Sequence, residues 1–143
     1  MSTPTSGPVW SLHPQLARDT VPVGDLALSR LLAMNDANYP WVVLVPRHAG
    51  VVEIVDLDEA ARGQLMAEIA QVSAALKSLT GCDKLNVAAI GNVVPQLHVH
   101  VVARRTSDAA WPKPVWGAAQ AKPYVAGELD TFVAALRRGL AIA

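Results

Sequence analysis

Two histidines stand two apart in QLHVHVVARR, residues 96–105, with a glutamine two places before the first. An imidazole titrates near neutrality and serves as nucleophile, general base or general acid, so His98 and His100 are the residues best suited to chemistry at physiological pH. On an extended strand, successive side chains point to opposite faces. Gln96, His98 and His100 therefore share one face, and Leu97, Val99 and Val101 the other, where a helix would bury them. Same-face neighbours lie about 6–7 Å apart, a separation at which two imidazoles can address one small anionic group.

Three readings of that face follow from the residues. The plainest is the polar side of a half-exposed strand, since a His-x-His pair arises readily by chance. The second is a metal site, for which two histidines on a strand are a common ligand pair that still needs a third ligand. No acidic residue occurs between His100 and Asp108, His13 and His48 are distant in sequence, and Gln96 is a poor ligand. The third is a phosphate site. The preceding GNVVPQ, residues 91–96, offers Gly91 for close backbone approach and Asn92 as a side-chain donor, and Asn86 adds an amide from the neighbouring strand. Backbone amides there can grip a phosphate while an imidazole on the next strand faces it, without a cluster of basic side chains.

The elements that position these residues can be read from pattern. The clearest helix runs from Asp58 to Leu79: Leu65, Ile69, Val72, Leu76 and Leu79 recur at three-and-four spacing, with Met66 beside them. Asp58 is a plausible N-cap, and Gly81 sits where a helix often ends. WVVLVP (41–46) is an apolar, β-branched strand stopped by Pro46, and the NDANYP turn before it makes 26–34 its hairpin partner. CDKLNVAAI (82–90) and QLHVHVVAR (96–104) are two further strands. SLHPQLARDT is read as holding a short helix, VPVGD (21–25) as a turn, and Leu129, Phe132, Val133, Leu136 and Leu140 as a second amphipathic helix. The tally predicts an α+β domain, 1–143 with its core in 24–105, with helices packed on a mainly antiparallel sheet of about five strands.

Composition narrows the function. Hydrophobic residues make up 52% and charged residues 17%, which places the chain among globular proteins and leaves an apolar surface that a second subunit could cover. Twelve basic and twelve acidic residues cancel, so no basic field exists to hold a DNA or RNA backbone, although a small nucleotide remains possible. Cys82 is the only cysteine, which excludes an internal disulfide and a multi-cysteine zinc site, and it is read as an inert thiol. The start, MSTPTSGPVW, lacks the basic and apolar regions of a secretory signal, and no apolar run is long enough for a membrane span. The expected setting is the cytoplasm.

With these residues in place, the chain resembles the histidine-triad (HIT) family, whose motif His-φ-His-φ-His-φ-φ (φ apolar) stands here as Gln96-Leu97-His98-Val99-His100-Val101-Val102. The likeness extends to Gly91, seven residues before His98, to LVPRH (44–48) closing the hairpin strand, and to the long helix that follows. It runs from about residue 24 to 105. The resemblance implies a nucleotide hydrolase or nucleotidyl transferase in which His98 attacks an α-phosphate through one ring nitrogen to form a covalent nucleotidyl-histidine. The other nitrogen would bond a backbone carbonyl near Gln96. The resemblance further implies that His100 stabilises the phosphoryl oxygen or leaving group, that Asn92 and Asn86 contact phosphate, and that Asn35 and Asp36 reach the ribose. It also implies a homodimer and a reaction that needs no metal or other cofactor. Gln96 is the departure: it keeps a donor and an acceptor where most members titrate, and it is expected to flank the leaving group. The alternative it raises is a nucleotide-binding or scaffold protein with little turnover.

Other residues carry weaker expectations. His48 is read as a surface position, and Arg104 and Arg105 as a solvated strand end with a lesser chance of meeting a polyphosphate. WPKPVWG (111–117) is read as a rigid segment packing across the domain or a partner, and Glu53 and Asp56 as turn positions without a site role.

Overall fold

A computed structural model describes residues 8–143. The expectation about a secretory signal falls partly on residues 1–7, which lie outside the described residues. The elements are α1 (Pro14–Asp19), β1 (Thr20–Asp25), β2 (Ser29–Met34), β3 (Trp41–Pro46), a 3-10 turn (Ile54–Asp56), α2 (Glu59–Thr80), β4 (Lys84–Ala88), β5 (Val99–Arg104) and α3 (Glu128–Leu140). The five strands form one antiparallel sheet in the order β1-β2-β3-β5-β4, the α+β architecture expected.

The long helix matches its sequence signals closely. Asp58 caps it by accepting from the Ala61 N–H, and Gly81 ends it in the left-handed conformation, φ 61°, that a residue with a Cβ rarely adopts. Leu65, Val72 and Leu76 are buried as predicted. Leu79, the last of the periodic set, is 44% exposed. Glu68 was not anticipated among these. It is 1% exposed, and its carboxyl accepts from the N–H groups of Leu28 (2.8 Å) and Ser29 (2.9 Å) and from the Gln64 amide (2.8 Å), tying α2 to the entry of β2.

Two expectations are corrected here. VPVGD is not a turn but most of β1, an edge strand. Pro22 lacks only a donor that an edge does not need, and the irregular register between Pro22 and Gly24 takes up the misfit. The 96–104 strand starts later, at Val99, leaving Gln96 and His98 on its approach.

The sheet is covered on both faces. On one, Val101 and Ala103 of β5 pack with Val42 and Leu44 of β3 against Val72 and Leu76 of α2 and Val133, Leu136 and Leu140 of α3. Leu97 and Val99 meet Leu57, Ala61 and Leu65 at the start of α2. On the other face Val102 lies with Trp41, Val43 and Val45 beneath Leu16 of α1, Val94, Ala110 and Val115. That face, half-exposed in the plainest reading of the sequence, is thus roofed by α1 and by irregular segments at Val94 and around 110–115. No helix among the described residues is long and apolar enough to cross a membrane.

Glu68→Ala leaves two buried N–H groups without acceptors, and it is expected to cost roughly 2–4 kcal/mol of stability with the fold retained. Urea unfolding with an unchanged m-value and a lowered midpoint is the measurement that checks it.

Candidate active site

Pairing with β3 and β4 sets the position of His100, which lies opposite Val43 on one side and Ala88 on the other. It is 5% exposed. The Trp41 indole N–H donates to His100 Nδ1 at 3.0 Å, so Nδ1 is an acceptor and the neutral ring carries its proton on Nε2. Trp116 stands edge-on against the same ring, with centroids 5.2 Å apart. Burial, and secondarily the neighbouring His98, push the His100 pKa down to about 4, against a small upward pull from the Ile90 backbone. His100 is therefore neutral at physiological pH.

His98 lies just before the strand, 5% exposed, with its ring 4.9 Å from that of His100. Its Nδ1 is 2.7 Å from the carbonyl oxygen of Gln96. A carbonyl only accepts, so Nδ1 carries a proton, and in the neutral ring the lone pair is on Nε2. Gly91 lets the loop close on itself beside this ring: a Cβ there would come within 2.9 Å of the Val94 carbonyl oxygen, while His98 Cε1, at 4.0 Å, would be in ordinary contact.

Two cavities meet at His98. The larger, about 710 Å³, is bounded by His98, His100, Asn92, Asn35 and Asp36 together with apolar Leu16, Met34, Trp41, Val94 and Trp116. The smaller, about 110 Å³, is bounded by Gly91, Asn92, Gln96, His98 and Glu53 among others. Asp36 is buried, and its Oδ1 accepts from the N–H groups of Asn38 (3.0 Å) and Lys122 (3.3 Å), which fixes the carboxylate at the rim.

The structure thus brings together His98, His100, Asn92, Asn35 and Asp36 on one cavity and Gly91 on the other. Asn86 is not on either. Its amide oxygen accepts from Arg104 Nη1 at 2.8 Å, so that oxygen is engaged within the protein. Gln96 borders the small cavity, but both polar atoms of its side chain are engaged by the main chain: Oε1 accepts from the His13 N–H and Nε2 donates to the Ser11 carbonyl, each at 2.8 Å. Glu53, expected to have no place near the site, lines the small cavity. His48 is exposed, as read.

Arg104 is not a solvated strand end. It is 1% exposed, paired with Asp108 at 2.7 Å, and covered by the rings of Tyr39 and Trp111 with centroids 5.6 Å away. The Arg104 guanidinium, with the N–H groups of Ala110, Arg105 and Trp111, holds the Asp108 carboxyl down at about 2 against the upward push of burial. Sequence reasoning missed Trp41, Trp116 and the α1 residues Gln15, Leu16, Arg18 and Asp19 as cavity walls. Trp41 had a usable signal, since it shares the parity of Val43 and Val45; Trp116 and α1 had none. Among the described residues no group of three or more His, Cys, Asp or Glu side chains is arranged to hold a metal.

The HIT domain family model matches residues 16–107. Solved structures similar to the chain include a histidine triad protein from Bradyrhizobium japonicum, 59% identical, with TM-score 0.91 over 93% of this chain and 99% of that one. A histidine triad (HIT) protein from Sinorhizobium meliloti is 43% identical, TM-score 0.89, over 92% and 97%. A histidine triad protein from Marinobacter aquaeolei is 42% identical, TM-score 0.90, over 94% and 98%. No curated protein matches the chain significantly.

The pKa of His100 gives a test with a definite sign. Its folded value, about 4, lies below the ordinary 6.5. The stability linked to its neutral form is therefore complete above pH 6.5 and is lost as pH falls through 4, a total of about 3 kcal/mol. Unfolding free energies at steps from pH 7.5 to 4 should slope downward in the wild type. In His100→Gln that share of the slope should vanish.

Proposed function

This chain belongs to the HIT domain family, whose members are in general nucleotide-binding hydrolases or transferases, and from that premise we propose that it cleaves a nucleoside phosphate at the α-phosphorus through a covalent nucleotidyl-histidine on His98. The observation that carries this reading is the 2.7 Å contact of His98 Nδ1 with the Gln96 carbonyl, which leaves Nε2 as the nucleophile at the meeting of two cavities. In the first displacement a P–Nε2 bond forms and the bond from phosphorus to the leaving group breaks, the leaving group departing with its electron pair and a proton from solvent. In the second, water attacks phosphorus and gives a proton to solvent while the P–Nε2 bond breaks, its electron pair returning to Nε2 and a nucleoside monophosphate being released.

The large cavity has the size and mixed lining of a small-molecule site. Leu16, Met34 and Val94 offer the base an apolar bed, Asn35 and Asp36 suit the ribose hydroxyls, and the neutral His100 can present its Nε2–H to a phosphoryl oxygen as charge develops there. The small cavity bears on the leaving group. At about 110 Å³, lined by Glu53 and, among the described residues, by no lysine or arginine, it suits a small neutral or cationic amine better than a polyphosphate carrying a second nucleoside. A nucleoside phosphoramidate is accordingly the favoured substrate over a dinucleoside polyphosphate, and no metal takes part.

The experiment is incubation with phosphorus-labelled adenosine phosphoramidate or diadenosine polyphosphate, each with chelator present. Acid-labile label should appear on wild type and not on His98→Ala, whose turnover should fall at least a thousandfold. Turnover lost with chelator and restored by a divalent metal would overturn the mechanism. Retained nucleotide binding without label or turnover would leave a binding protein.

We further propose a homodimer paired through β4. That strand has β5 on one side only, and Val87 is 48% exposed on it, an edge of the kind that a second copy extends. Light scattering should give twice 15.1 kDa for wild type and a monomer for Val87→Asp. A monomeric wild type sinks this part alone.

A further inference from the structure

The side chain of Gln96 is the group at the site that the proposed chemistry does not use. Its backbone carbonyl faces His98 Nδ1, while its side chain makes a two-point bond with a stretch more than eighty residues away in sequence: Nε2 donates to the Ser11 carbonyl and Oε1 accepts from the His13 N–H. The carbonyl of residue i and the N–H of residue i+2 face the same side of an extended chain, and a primary amide carries its acceptor and donor side by side to match them. An imidazole cannot do this, because its two ring nitrogens point away from each other. A carboxylate offers the acceptor but sets an oxygen against the Ser11 carbonyl.

What the amide holds is the approach to α1. His13 is the N-cap of that helix, with Nδ1 accepting from the Gln15 N–H at 3.0 Å. The helix is only six residues long, so it has little stability of its own and depends on its anchors. Leu16 is buried from it into the cluster beneath the cavity, and Gln15, Leu16, Arg18 and Asp19 form one cavity wall. Arg18 is the only lysine or arginine on that wall among the described residues.

We propose that Gln96 is a positioning residue whose side-chain amide clamps residues 11–13, so that α1 closes the large cavity beside His98. The clamp acts on how substrate is held and not on proton transfer. Its link to substrate rests on the nucleotide reading given above; the clamp itself does not.

Two measurements separate these. Backbone amide exchange of residues 11–19 in ligand-free protein reads the clamp. KM and kcat across pH on adenosine phosphoramidate, with AMP affinity beside them, read its consequence. In Gln96→Ala, Gln96→His and Gln96→Glu, exchange over 11–19 should quicken at least tenfold while β3 and β5 stay protected. KM and the AMP dissociation constant should rise at least fivefold, with kcat within about twofold and an unchanged pH profile. A reciprocal pair covers the possibility that a change at 96 disturbs folding. His13 has φ −56° and ψ 135°, which proline accepts, so His13→Pro deletes the clamped N–H, whereas His13→Ala deletes only the helix cap. His13→Pro should loosen 11–19 well beyond His13→Ala. Unchanged exchange in the position-96 variants overturns the clamp. So does a fall in kcat with a shifted pH profile at constant KM, which would put residue 96 in the leaving-group step. Wild type that neither turns over the phosphoramidate nor binds AMP defeats the nucleotide reading, and the exchange data still decide the clamp.

Discussion

A guanidinium that is 1% exposed must be neutralised where it lies, and the way Arg104 achieves this organises one whole side of the molecule. Asp108 meets it through two nitrogens, at 2.7 and 3.1 Å, and Asn86 takes a third hydrogen bond. The same carboxylate accepts from the N–H groups of Arg105, Ala110 and Trp111, so it folds the chain back immediately after β5. From that bend the segment runs over the sheet and buries Ala110 and Val115 against Trp41 and Val43. Trp116 then arrives at the ring of His100. The roof over the histidines is irregular in backbone, yet an ion pair fixes where it starts.

Dryness follows from that roof, and the protonation pattern follows from dryness. Two imidazoles 4.9 Å apart, both nearly excluded from solvent, cannot both be charged without a large loss of solvation. The indole of Trp41 gives His100 a donor on Nδ1, and a carbonyl gives His98 an acceptor for its own Nδ1. The two rings thus hold opposite hydrogen-bonding roles at the same atom. One presents Nε2 with its proton, the other Nε2 with its lone pair. Packing and main-chain geometry set this difference, and no third charged group is needed to impose it.

The sequence made some of this legible. Regular periodicity located α2 and α3, Asp58 and Gly81 marked the ends of α2, and strict alternation put His98 and His100 on one side of the chain. What failed depended on partners that no local pattern marks. Pro22 and Gly24 read locally as a turn, and only the edge position of β1 makes them a strand. Arg104 read as a solvated end because Asp108, four residues on, has no local pattern that marks it as a partner. The Arg104 bond to the Asn86 amide oxygen had no local signal either. Gln96 was visible as an oddity, but its partners at Ser11 and His13 could not be found without the fold.

The two margins of the sheet are unlike. β1 carries Pro22 and an irregular register, and Ile142 lies 3.0 Å from where a Cβ on Gly24 would stand. β4 has neither device. Among the described residues, strand addition therefore has one open end per molecule. In the dimer proposed above, two such ends would meet about a twofold axis and consume each other, and the blunted outer margins would offer no template for a third chain. The asymmetry would then be a termination rule: it would permit the sheet to double and stop it from propagating into a fibre.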